Sequence, residues 1–106
     1  MQKELTLSEI RLAQEEIATS LSVDGLDRSM VVHLEQTSFH LRNLERLLVA
    51  AMEKELIGEL KKESLALNAV TEEMARAAVQ LSVLTGVLRK VVKMVGQIID
   101  MLEIAG

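Results

Sequence analysis

The sequence predicts an all-α fold: an antiparallel three-helix, up-down-up chain with one short and two long helices, pairing into a helical-bundle dimer. Three observations predict it. Leu, Ala, Glu, Met, Lys, Arg and Gln are abundant and favour helix, whereas Phe39 is the only aromatic residue available to the sheets that draw on such side chains. The chain has no proline, so no helix interior is obliged to break. Apolar residues recur at alternating spacings of three and four over most of the length, the period of a helix face. At 106 residues and 49% hydrophobic, residues 1–106 make one domain with enough apolar side chain for a core.

The first helix is expected over about residues 7–22. Thr6 and Glu9 fit a capping box, in which a hydroxyl and a carboxylate satisfy the first free N–H groups. Leu7, Ile10, Ala13, Ile17 and Leu21 form its narrow stripe. Val23-Asp24-Gly25-Leu26-Asp27 is the clearest turn, with Gly25 free to take positive φ and Asp24 or Asp27 able to cap the second helix. That helix is expected over about 27–57, on a stripe of Met30, Leu34, Leu41, Leu44, Leu48, Met52 and Leu56, in which Thr37 stands where a larger apolar residue belongs. Gly58 and the polar run Lys61-Lys62-Glu63-Ser64 mark a second, weaker break. A hairpin is expected there; the alternative is one continuous helix of about 110 Å at 1.5 Å per residue.

The third helix, about 64–104, is the most informative. Leu67, Val70, Met74, Ala77, Leu81, Leu84, Leu88, Val91, Val95, Ile98 and Leu102 follow one coiled-coil-like heptad seam. From Leu81 on, Val87, Val92, Met94, Ile99 and Met101 widen it, so this half needs two or more neighbouring helices. Arg89, Lys90, Lys93, Asp100 and Glu103 lie on the opposite side. A short first helix covers only one end of the two long ones. The other end would be a bare two-helix arm exposing a large apolar patch. The residues expected to bury against another chain are therefore Leu47, Leu48, Met52, Leu56, Leu60, Leu67, Val70 and Met74.

Composition narrows the function. Net charge is −4, the reverse of the basic surplus that phosphate backbones select, and no aromatic residues interleave Arg76, Arg89, Lys90 and Lys93 for base stacking, so no nucleic-acid partner is expected. Without cysteine there is no disulfide, thiol nucleophile or thiolate metal site. Leu81–Ile104 carries five charges, too many for a membrane span, and the N-terminus lacks a signal-peptide core, so a cytoplasmic location is expected. Glu15-Glu16 and Glu72-Glu73 suit solvated helix faces, and the five glycines form no phosphate loop. Gly86 and Gly96 sit on the polar side of the third helix and read as tolerated.

His33 and His40, the only histidines, are seven apart, two turns along one face, whereas chelation from one helix needs three or four. No metal or cofactor is expected. Ser38-Phe39-His40-Leu41-Arg42-Asn43-Leu44 resembles the phosphoacceptor box of dimeric histidine kinases, with His40 as acceptor and Arg42 and Asn43 as the basic-polar pair after it. Leu41 stands where that family commonly has an acidic residue, and the family's proline is missing after it. The sequence thus points to a non-enzymatic assembly or partner-binding protein of adaptor, chaperone or regulator class, self-associating as a homodimer or taking a helical partner protein. A phosphoacceptor module using His40 is the alternative. Binding to a membrane surface through Leu81–Ile104, with no membrane partner expected while the fold occupies that face, is the second alternative.

Overall fold

The computed structural model describes residues 2–50, 56–77 and 81–105. Among them the chain forms four helices, α1 (Gln2–Leu21), α2 (Arg28–Val49), α3 (Ile57–Ala77) and α4 (Ser82–Ala105). The all-α class stands, and the three-helix chain is corrected to four. The expected second helix ends eight residues early: Val49 is its last residue and Ala50 is extended at φ −62°, ψ 159°. The expected third helix is two helices, α3 beginning at Ile57 and α4 at Ser82. Gly58, expected to mark a break, lies in the first turn of α3. The Cα atoms span 48 × 20 × 18 Å, which excludes a continuous helix through the second half of the chain.

The helices run up, down, up and down. His33 meets Glu73 and His40 meets Glu63, so α2 and α3 are antiparallel. Glu72 meets Arg89 and Lys61 meets Glu103, so α3 and α4 are antiparallel. Thr19 and Ser20 of α1 share one end of the bundle with Ser29, Met30, Ala77 and Leu81. Each helix packs on two neighbours, α1 on α2 and α4, and α3 on the same two.

The local chemistry explains the first connection. Gly25 takes φ +81°, the positive value that a residue without Cβ allows. Asp27 is the extended residue before α2; its carbonyl accepts from the Met30 and Val31 N–H groups at 3.0 Å. Its carboxylate caps no backbone N–H and instead accepts from the Ser29 hydroxyl at 2.8 Å. The expected capping box is not formed. α1 begins at Gln2, Thr6 is fully buried inside the helix, and Glu9 reaches across to Lys90.

The core is aliphatic and continuous over the four helices. Ile10, Leu34, Leu41, Leu44, Leu48, Leu60, Leu67, Met74, Leu88, Val91 and Val95 are fully buried. Each large aliphatic side chain removed from water contributes about 1.5–3 kcal/mol, so this row holds the bundle together. The wide apolar face of α4 is accounted for by its two neighbours: Leu88 and Val91 face the centre, and Ile99 is buried beside them. Val87, Val92 and Leu102 pack along its margins. Four threonines, one per helix, are buried in this core. Thr37 and Thr71 each donate to the carbonyl four residues back (His33 and Leu67), which satisfies the hydroxyl without a cross-helix partner.

Candidate functional site

The side chains expected to meet a second chain are mostly inside the first. Leu47, Leu48, Leu60, Leu67, Val70 and Met74 are buried, and Leu56 is partly buried against the same core. Met52 lies outside the described residues. The bare arm is absent because α4 folds back along α3, and α1, which begins at Gln2, runs along α2. Among the described residues, the chain's own helices cover the apolar side chains that a partner was expected to cover.

Both histidines turn to α3. His33 Nε2 lies 2.9 Å from Glu73 and His40 Nδ1 lies 2.8 Å from Glu63, each histidine side chain being about one-fifth exposed. Asn43 donates to the other Glu63 oxygen at 3.3 Å, and the Phe39 ring meets His40 edge-on. His33 Nδ1 is buried with no hydrogen-bond partner in the structure. No group of three or more His, Asp or Glu that could hold a metal occurs among the described residues. The pairs lie seven residues apart on α2 and stitch the α2–α3 seam at two heights.

The remaining charges pair across other seams. Arg11 and Gln14 both donate to Glu45, and these hydrogen bonds hold its carboxyl below the usual carboxylate range. Arg89 grips Glu72 with two nitrogens, which depresses the Glu72 carboxyl and raises the guanidinium. Of the expected basic patch, Arg89 and Lys90 are thus committed to Glu72 and Glu9, while Glu103, expected to lie beside them, pairs with Lys61. An open cleft of about 470 Å³ lies at the α1–α2 connection. Two hydroxyls around it have local partners: Ser20 donates to the Glu16 backbone carbonyl and Ser29 to the Asp27 carboxylate.

One surface stands apart. Glu9 Oε1 and Lys90 Nζ meet at 3.1 Å on the outer side of the α1–α4 seam. Leu5 and Leu12 lie one turn to either side of Glu9. Val87 and Met94 lie one turn to either side of Lys90, and Val83 and Met101 continue that line. Leu5 is 59% exposed, Leu12 42%, Val83 68% and Met101 58%; Val87 and Met94 are half-buried. Scattered exposed leucines are ordinary, but a row on two adjoining helices around a single ion pair is a patch.

Sequence reasoning placed Met101 in the covered face and left Leu5 and Leu12 unassigned. The available signal was their spacing of seven, on the side of the helix away from Leu7, Ile10 and Ile17. No helix among the described residues is long and apolar enough to cross a membrane. Comparison with protein-family models, with curated proteins and with solved structures gives no match.

Proposed function

We propose that this chain is a non-enzymatic helical assembly or partner-binding protein, and that it works by burying the outer α1–α4 face. The observation that carries the reading is the row Leu5, Leu12, Val83, Val87, Met94 and Met101 around the exposed Glu9–Lys90 pair. An apolar row with a charged pair at its centre suits an interface, where aliphatic side chains supply the burial and the charges select register. The test is the double variant L12E/V83E. Both side chains point outward, so helicity and melting should match wild type, while species that co-purify with the tagged wild-type chain, its own second copy included, should be lost. An unchanged set of bound species removes the reading.

A second reading rests on His40. A carboxylate on Nδ1, itself held by Asn43, fixes the ring and favours the tautomer with a lone pair on Nε2, the arrangement of a nitrogen nucleophile. In this reading a phosphorylated donor loses its phosphoryl group to His40 Nε2. Acid-labile phosphate should then appear on the wild-type chain and not on H40Q. Equal labelling of the two, or none, removes it.

A further inference from the structure

Resting on the partner-binding reading, we propose that the occupant of the outer α1–α4 face is a second copy of this chain. The two copies are related by a two-fold axis parallel to the bundle, with α1 of each lying on α4 of the other.

Charge selects this arrangement. The outward side of α1 carries Glu4, Glu9, Glu15 and Glu16, and the outward side of α4 carries Lys90, Lys93 and Asp100, the last of these ten residues beyond Lys90 and so past the level of Glu4, which is five residues before Glu9. The nearest other cations, Arg11 and Arg89, are turned away to Glu45 and Glu72 on the flanking helices. A two-fold axis along the bundle keeps each residue at its own height and moves it to the opposite edge. The acidic edge of one copy then covers the basic edge of the other, with Glu4 near the height of Lys93 and Glu9 level with Lys90. A two-fold axis across the bundle would place α1 on α1 and set carboxylates against carboxylates. Such like-charge contacts oppose docking.

Area and symmetry agree with a second copy. Leu5, Leu12, Val83, Val87 and Met94, the apolar residues at heights that α1 covers, expose on the order of 400 Å² per copy, about half of the roughly 800 Å² per partner in an interface of standard size. The charged rims supply the remainder. The same patch is used twice, so the contact closes at two copies and leaves no open end for a filament.

The experiment is sedimentation equilibrium of the full chain and three variants. Wild type should form a dimer, and L12E/V83E should be monomeric with unchanged helicity. E4K/E9K and K90E/K93E should each dissociate about tenfold more readily than wild type, because like charges then meet across the interface. Mixed in equal amounts, those two should recover a dimer of near wild-type strength, since each supplies the edge the other now complements. The intrachain Glu9–Lys90 pair is not restored by mixing, so recovery reports the contact between copies. A wild-type chain that stays monomeric up to about 100 μM, or a mixture no tighter than its components, overturns the two-fold dimer.

The broader reading has separate readouts. If the monomeric wild type retains a bound protein or anionic vesicles that L12E/V83E loses, the face is an interface for that occupant and the second copy is wrong. If it retains neither, both fail.

Discussion

The α2–α3 seam and the α1–α4 seam have the same architecture and opposite finishes. On α2–α3, the half-buried cluster of His40, Glu63 and Asn43 and the pair of His33 with the exposed Glu73 close the outer edge with polar groups. On α1–α4, one exposed lysine–glutamate pair stands in a row of leucine, valine and methionine. Both seams cover the core below them. A helix pair needs only its inward residues for stability, so the outer edge is free to serve another purpose. Where that edge is apolar, its exposure to water is unfavourable and burial against a partner is the relief.

The largest expected effect separates the two sides of α4. Leu88 faces the core and is fully buried, so L88A should cost about 2–5 kcal/mol of unfolding free energy, as cavity-forming leucine truncations do. Val83, five residues earlier and facing out, should tolerate V83E within about 0.5 kcal/mol, because exposed positions contribute little to the monomer. Urea denaturation of both variants, read by far-ultraviolet circular dichroism at low protein concentration, checks the pair. Comparable losses would mean that Val83 belongs to the core and that the outer row is no patch.

The sequence carried the inward faces well and the breaks poorly. The row Leu81, Leu84, Leu88, Val91, Val95 and Ile98 is buried as its period required, and the width of that face implied two neighbours. The step from α3 to α4 was invisible for a physical reason. Ala77 and Leu81 are four apart, so the heptad keeps its phase from one helix to the next, and both helices present the same seam to the same core. The end of α2 was hidden similarly: Ala50, Ala51, Met52 and the charged residues after them are helix formers with no glycine or proline. With one break missed and the other expected too far along the chain, residues such as Leu48 and Met74 looked like surplus.

A smaller effect should distinguish the edges directly. Glu63 is the shared acceptor of His40 and Asn43 and is 17% exposed, so E63A should destabilise by about 1 kcal/mol, leaving two half-buried donors without their acceptor. Glu9 on the other seam has only the exposed Lys90 ammonium, and E9A should fall within about 0.5 kcal/mol. Thermal melts of the two variants under dilute conditions measure the difference. If E9A proved the more damaging, the α1–α4 edge would be a structural seam like its counterpart.

Glycine gives an effect of opposite sign. Gly96 lies within α4, and a Cβ added there would meet nothing within 4 Å. G96A should therefore stabilise the bundle by about 0.5–1 kcal/mol, through the lost backbone freedom of the unfolded chain and without a new contact. The midpoint of urea unfolding should rise at unchanged slope. A destabilised G96A would show that a neighbour approaches α4 on that side more closely than the four helices allow.

The smallest expected effect concerns acid. Glu45 is held below the usual carboxylate range by hydrogen bonds from Arg11 and Gln14, on the α1–α2 seam that lies between the two compared above. A carboxyl whose pKa is lower in the folded chain than in the unfolded one stabilises fully above its unfolded pKa. That contribution drains away as pH falls through the unfolded value and then the folded one. The pair is largely solvated, so the contribution should be a few tenths of a kcal/mol. Unfolding midpoints of wild type and E45Q should differ slightly at neutral pH and converge below the carboxylate range. A gap that widened as the pH fell would have the wrong sign and would refute the assignment of Glu45 as a stabilising acceptor. A gap as large as that of E63A would mean that the α1–α2 edge is closed as firmly as α2–α3.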